Sequence, residues 1–385
     1  MKNYFSSDFK LGVLGGGQLG RMLLAETQKL DIYTVILDAN SEAPCAQICN
    51  EFVLGDLLDF DAVYNFGKKV DLLTIEIENV NIDALDKLEK EGLIIYPKPK
   101  NLRIIQNKAR QKNFYVDHHI PTAAFSHYAY LEELKHSYLN SSIELPFVWK
   151  AARFGYDGTG VKIVRNIEDL ESLPKVECIT EKLIPFKNEL AVIVARNSDG
   201  ETKTYPVVEM EFHPEANQVE YVICPARIDE KVAQKAQEIA LKVVDSFNFV
   251  GLLAVEMFQT IDDKILVNEV APRTHNSGHY SIEASYTNQF EQHLRSILNL
   301  PLGNTESKVA GIMVNLVGEE GFFGEVIYQN IEEILKIDGV TPHIYGKKMT
   351  KPFRKMGHVT IVNEDVNEAR KIAQQVKETV RVISK

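Results

Sequence analysis

The spacing of apolar residues changes repeatedly along this chain, and each change marks an element. In the first hundred residues, apolar runs of strand length at 10–14, 33–37, 51–54, 71–77 and 93–96 alternate with helical spacing at 21–30 and 82–91. Strands alternating with helices predict an α/β region on a doubly wound parallel sheet. Pro97 and Pro99 break the pattern and put a domain boundary near 97–106. Beyond it the spacing predicts helices at 102–118 and 131–139 and strands at 146–150, 161–164 and 176–182. A further pair, 190–196 and 202–209, is joined across Ser198-Asp199-Gly200. Val232, Ala236, Ile239, Val243, Val244 and Phe247 keep helical spacing over 229–247, a stripe that reads as core. This central part is α+β. After Pro301 the texture becomes that of a small α/β domain, with strands at 311–316 and 358–362, a basic hairpin at 342–351 and a helix at 365–383.

Two apolar runs, 252–260 and 264–271, flank Asp262-Asp263, which reads as a tight turn. With a two-residue loop, Gln259 faces Leu266, Phe258 faces Val267 and Glu256 faces Glu269. Like charges directly opposite on a sheet face destabilise the pair. These two sit among Leu, Val, Ala and Met with no basic neighbour in sequence, which points to a cation between them. Mg²⁺ suits paired carboxylates that also hold substrate phosphates. The plain alternative is a solvated hairpin edge with two unrelated glutamates.

Size and charge narrow the field. A chain of 385 residues exceeds one ordinary core, so two or three domains are expected. A net charge of −11 argues against a nucleic-acid partner. The balance is uneven, with ten Lys or Arg against four Asp or Glu over 341–385, which suits either a small anionic ligand or a solvated helix face. Cys45, Cys49, Cys178 and Cys224 form no paired clusters and read as reduced thiols. The N-terminus is too polar, then too glycine-rich, for a signal peptide, and no apolar run approaches membrane-spanning length. A cytoplasmic protein with no membrane partner is expected.

Three motifs carry candidate chemistry. Gly15-Gly16-Gly17-Gln18-Leu19-Gly20 follows a strand, opens a helix and precedes Asp38, the context of a dinucleotide fingerprint. The same glycines serve any phosphate or carboxylate at a helix N-terminus. Glu76 and Glu78 share a strand face at the sheet's carboxyl end, where they either rim a substrate site or end in solvent. Gly155-Tyr156-Asp157-Gly158-Thr159-Gly160 is a glycine-rich loop between strands, preceded by Lys150, whose amides can wrap phosphate oxygens. Arg273 and His275 follow the paired glutamates and add anion-binding groups beside them.

Taken together, GGGQLGRM, VWKAARFGYDGTG, EKLI, VEMF…VNEVAPRTHNSGH and KPFRKMGH resemble the ATP-grasp superfamily and, within it, the 5-(carboxyamino)imidazole ribonucleotide synthetases. The resemblance covers essentially the whole chain. It implies a pre-ATP-grasp Rossmann-like domain at 1–105, an ATP-grasp domain at 106–305 with a lid at about 115–182, and a C-terminal domain at 306–385. It further implies ATP-dependent carboxylation of aminoimidazole ribonucleotide with bicarbonate, in purine biosynthesis. ATP is then held by Lys108, Lys150, Gly155–Val161, Glu181, Lys182, Leu183, Ile184, Glu189, His213, Asn268 and Glu269. Mg²⁺, one or two ions, is held by Glu256, Glu269 and Asn268. Arg273, His275, Asn276 and Asp157 are implied as catalytic, and Gln18, Glu76, Tyr156, Arg273, Lys347 and Arg354 as substrate-binding, the last two at the 5′-phosphate. Neither NAD nor biotin is implied, and a homodimer is. Two departures stand out: members commonly read GYDGRG, where this chain has Thr159, and EMEFHPEAN around His213 is one residue longer than usual. Strict alternation would point Asn268 away from Glu256 and Glu269, so its ligand role predicts a bulge near 267–269.

Three rivals remain at this stage: an NAD-dependent oxidoreductase, an ATP-grasp ligase with another acyl donor, and a non-catalytic nucleotide sensor. The first leaves the glutamate hairpin and the GYDGTG loop without a role. Calorimetry separates it: ATP binding without NAD(H) binding is expected, and the converse would favour the oxidoreductase.

Overall fold

The computed structural model describes residues 3–153, 160–214 and 218–385. Five parallel strands form the N-terminal sheet, in spatial order Glu51–Leu54, Tyr33–Asp38, Lys10–Leu14, Leu72–Ile75 and Ile94–Ile95. The strand order reverses beside Lys10–Leu14, so the carboxyl ends of Lys10–Leu14 and Leu72–Ile75 open the crevice in which such sheets take ligands. Both sheet faces are apolar because both are covered. Val63, Phe66, Leu85 and Leu88, from the helices Phe60–Gly67 and Ile82–Lys90, cover one. The helix Gln18–Lys29 covers part of the other, and the link 39–50 contributes no helix of its own. The rest of that face is packed by Phe290, Leu294 and Ile297 of the distant helix Gln289–Ile297.

A long antiparallel sheet carries the central part. Its order is Ile265–Ala271, Gly251–Thr260, Phe186–Arg196, Val208–Phe212, Val219–Cys224, Ala310–Val317, Lys355–Asn363 and Val340–Ile344. Residue 306 thus lies between strands of one continuous sheet. The helix Glu230–Phe247 buries Val232, Ile239, Val243 and Phe247 against Leu190, Val192, Leu253 and Val255. Full burial of such side chains stabilises by about 1.5–3 kcal/mol each. A separate four-stranded antiparallel sheet, Phe125–Tyr128, Cys178–Lys182, Phe147–Ala151 and Val161–Val164, stands beside it. Among the described residues no helix is long and apolar enough to cross a membrane.

Four expectations need correction. The 102–118 helix is two, Pro99–Ile105 and Lys108–Asp117, because Asn107 turns extended and its side chain accepts a hydrogen bond from the Arg110 N–H at 3.0 Å. That break makes Lys108 the first residue of a new helix. The 202–209 strand is interrupted at Pro206, which has no N–H to give, and resumes as Val208–Phe212. The basic stretch 342–351 is not a hairpin: Val340–Ile344 pairs with Lys355–Asn363, while Met349–Thr350 pairs with Gly324–Gln329. The last helix stops at Thr379, and Arg381–Ser384 is a strand paired with Gly324–Gln329.

Replacing Asn107 with Ala should remove the cap and cost about 1 kcal/mol. Urea titration of N107A checks this; unchanged stability would show that the helix break needs no cap.

Candidate active site

The site is built on the hairpin of Gly251–Thr260 with Ile265–Ala271. Its loop has three residues, not two: Asp263 takes a left-handed conformation at φ 61°, and the Thr260 N–H bonds the Lys264 carbonyl at 2.9 Å. The register is therefore one residue off the expected one, with Phe258 facing Leu266 and Met257 facing Val267. A bulge then shifts it back, and Glu256 faces Glu269. The extra residue is Asn268. The two one-residue departures cancel at the glutamates, and the second turns Asn268 towards the same cluster.

The bulge is held from the outer edge. Val267 donates its N–H to the Pro121 carbonyl at 2.8 Å, and Thr122 Oγ1 donates to the Val267 carbonyl at 2.7 Å. Lys112 Nζ donates in turn to Thr122 Oγ1 at 2.7 Å. Backbone groups that the bulge removes from the ladder thus keep partners.

Three lysines answer the two carboxylates. Lys108 pairs with Glu269, and Lys150 donates to Asn268 Oδ1 at 2.7 Å. Glu181 lies between Lys112 at 2.8 Å and Lys150 at 2.9 Å, all three nearly fully buried. Burial pushes Lys112 down to about 8, against the pull of Glu181. Glu181 stays below the usual carboxylate range because Lys150 and Lys112 outweigh the opposing effect of burial. Glu256 is raised, by burial first and then by Glu269 and Glu189. Burial also acts to raise Glu269, but Lys108 and Lys150 outweigh it and hold the group low. The two carboxylates of the opposed pair are thus pushed apart, Glu256 upwards and Glu269 downwards. Side-chain exposures of 17% for Glu256 and 38% for Glu269 leave the cleft open to a ligand.

Alongside lie two basic side chains, each against a carboxylate. His275 Nε2 is 3.3 Å from Glu256 Oε1, and Arg273 clasps Glu78 with both forks, at 2.6 and 3.2 Å. Glu76 and Glu78 do not share a solvent-facing strand end: the strand stops at Ile75, and each carboxylate is engaged. Glu76 Oε1 accepts from the Leu19 N–H at 3.1 Å, while Asp38 accepts from the Gly16 N–H at 2.7 Å. A Cβ on Gly17 would come within 2.5 Å of Glu76 Oε1, so the glycine turn makes room for a carboxylate of the chain itself. Burial raises Glu76, with Arg273 opposing.

Other expected site residues fall as follows. Gln18 opens the helix Gln18–Lys29 at the crevice. Lys182 ends the strand Cys178–Lys182, followed by Leu183 and Ile184, and Val161 pairs with Lys150 beside Gly160. His213 packs edge-on against Phe353. Lys347 and Arg354 flank Met349–Thr350 and donate to the carbonyls of Lys355 and Met349, both at 2.7 Å. Gly346, beside Lys347, abuts the guanidinium of Arg21, which brings this loop to the N-terminal domain. Gly155, Tyr156, Asp157, Gly158 and Thr159 lie outside the described residues. Asn276 has its side-chain amide in a reciprocal pair with Asn315, at 2.9 and 3.0 Å. Lys112 and Thr122 were not foreseen as site residues, and for Glu78 a rim position was expected but not its pairing with Arg273. Lys112 was within reach, one helical turn from Lys108 on the same face. Among the described residues no three His, Cys, Asp or Glu converge as a metal nest; the hairpin offers two carboxylates and one amide.

Comparison with known proteins matches this arrangement along the chain. Residues 9–106 fit a ribonucleotide synthetase preATP-grasp domain, 113–290 an ATP-grasp domain, and 311–372 a phosphoribosylaminoimidazole carboxylase C-terminal domain. The N5-carboxyaminoimidazole ribonucleotide synthase of Bacillus subtilis is 36% identical, over 93% of this chain and 92% of its own. The chain belongs to the N5-carboxyaminoimidazole ribonucleotide synthase family. It is an ATP-grasp ligase of purine biosynthesis. The synthetase structure from Thermotoga maritima aligns at TM-score 0.90 with 42% identity, covering 98% of this chain and 100% of that one. One from Aspergillus clavatus, in complex with ADP and 5-aminoimidazole ribonucleotide, aligns at 0.88 with 35% identity, covering 97% and 98%. The chloroplastic phosphoribosylaminoimidazole carboxylase of Vigna aconitifolia is 38% identical over 93% of this chain, which spans 64% of that longer protein. The family and α/β architecture expected from the motifs therefore hold.

One titration is open to measurement. Burial, with Glu269 adding and Lys150 opposing, lifts Glu189 to about 7. Its folded pKa lies above the unfolded value, so the native state binds the extra proton between about pH 4.5 and 7 and loses stability as pH rises through that window. E189Q should match the parent at pH 4.5 and exceed it at pH 8, by at most about 3 kcal/mol. Equal stability at pH 8 in urea titrations would remove the shift.

Proposed function

We propose that this chain uses ATP to carboxylate the exocyclic amine of 5-aminoimidazole ribonucleotide, with bicarbonate as carboxyl source and carboxyphosphate as its activated form. Bicarbonate oxygen takes the γ-phosphoryl group and ADP leaves. The amine nitrogen then bonds the carboxyl carbon as the carbon–oxygen bond to phosphate breaks, and nitrogen gives up a proton. Phosphoryl transfer asks mainly for positioning and charge neutralisation. Lys108 and Lys150 supply charge at the phosphates, and Lys108 can exchange its carboxylate partner for a phosphate oxygen. Glu256, Glu269 and Asn268 would hold Mg²⁺, one or two ions, which when bound neutralises phosphate charge. Two carboxylates and an amide, all hard oxygen donors in an open cleft, fit that ion. Glu189 takes the ribose hydroxyls, and the backbone of 181–184 reads the adenine edge. Arg273 and His275 hold the carboxyl donor, with Glu78 orienting Arg273. Gln18, Glu76, Lys347 and Arg354 take the ribonucleotide. The 155–161 loop excludes water from carboxyphosphate, with Tyr156 and Asp157 at the substrates. A cytoplasmic homodimer is the setting we favour, on the family resemblance.

What supports this reading most is the bulge that gathers Glu256, Asn268 and Glu269 opposite three lysines. ADP release assayed with each substrate omitted in turn tests it. Release should require ATP, bicarbonate and the ribonucleotide together; release driven by formate or an amino acid instead would assign another ligase. E269Q should lose at least about 100-fold in kcat, the scale seen when a positioned charge-stabilising group is removed. An undiminished E269Q would refute the carboxylate role.

A further inference from the structure

His275 lies on an irregular stretch. The chain leaves the sheet at Ala271 and enters a short 3₁₀ turn at Asn276–Gly278. Such backbone needs partners from outside the ladder. Gln289 provides them. Its Oε1 accepts from the His275 N–H at 2.8 Å, and its Nε2 donates to the His275 carbonyl at 2.8 Å, as a neighbouring strand would. The remaining Nε2 hydrogen points to His279 Nδ1 at 3.0 Å. The side chain is fully buried. Because an N–H and a carbonyl face it, the amide has one orientation, which leaves Nδ1 of His279 as acceptor and puts that ring's proton on Nε2.

The surroundings are fitted to this clamp. Asn288 caps the helix Gln289–Ile297 by accepting from the N–H groups of Phe290 and Glu291, at 2.9 and 3.0 Å. The Gln289 N–H goes to Ser281 Oγ at 3.0 Å, so its side chain has no capping duty. A Cβ on Gly278 would meet Ile193 and come within 2.5 Å of Gln289 Oε1. The glycine of THNSGH is therefore needed for the approach of Gln289. The next residue, Phe290, packs in the core of the N-terminal sheet. The clamp thus ties His275 to the docking of the domain that carries Gln18 and Glu76.

We propose that Gln289 is a positioning residue for the reaction, holding the His275 backbone so that the imidazole stays beside Glu256 at the carboxyl-transfer site. This rests on the role given above to His275. A misplacement of about 1 Å can cost about 100-fold in rate. Q289M, which keeps the length and removes all three bonds, should lower kcat by about 10–100-fold and leave KM for ATP within about twofold. Q289E, which keeps the bond to the His275 N–H but sets a carboxylate against its carbonyl, should fall in the same direction. The deciding measurement is a double-mutant cycle. In an H275A background Q289M should add less than about twofold, whereas multiplying losses would overturn the proposal alone. Full activity of H275A would overturn both the role of His275 and the proposal. One check needs no variant to fold: ¹⁵N shifts of the parent protein should show the His279 proton on Nε2, and a proton on Nδ1 would overturn the clamp.

Discussion

Two carboxylates opposed on one sheet face stand with their Cβ atoms about 4.5–5.5 Å apart and repel each other. Much of the central architecture answers that repulsion at Glu256 and Glu269. Positive charge comes from two directions: Lys108 and Lys112 on one helix, and Lys150 on an inner strand of the separate four-stranded sheet. Glu181 then keeps Lys112 and Lys150 from repelling each other in turn. The result is an alternating chain of charges from the buried side of the cluster to its open side, where phosphate charge can take over from carboxylate. Such a cluster contributes little to stability for its size, because desolvation offsets most of the attraction. It is better understood as preorganisation for an anionic ligand.

The pairing of Glu256 with Glu269 was legible because side chains alternate along strands, yet the route to it contained two errors that cancel. Asp262-Asp263 does not reveal loop length, since Asp tolerates the left-handed conformation that Asp263 adopts. Asn268 could be placed only by asking what a ligand role would require of the strand. The parallel sheet, its glycine turn and the long amphipathic helix were readable from spacing alone. The break before Lys108 could have been read from Asn107, an ordinary helix cap. The contacts of Glu78 with Arg273, of Lys112 with Glu181 and of Gln289 with His275 could not, because they cross between separate elements and polar residues carry no period.

The glycine turn shows why a fingerprint identifies a fold before a ligand. Amides at a helix N-terminus seek an anion. Here Asp38 and Glu76 provide it from within the chain. A motif shared with dinucleotide-binding proteins therefore shapes the floor of a crevice, with its amides already answered by the chain's own carboxylates.

The helix Gln289–Ile297 stands where the doubly wound sheet lacks a helix of its own. A chain leaving the ribosome N-terminus first exposes Phe9, Leu11 and Val13 long before Phe290 and Leu294 emerge to cover them. The N-terminal strands are thus obliged to wait, partly bare, through the synthesis of nearly the whole ATP-grasp region. The packing of the N-terminal sheet is therefore completed only once the helix Gln289–Ile297 has been made.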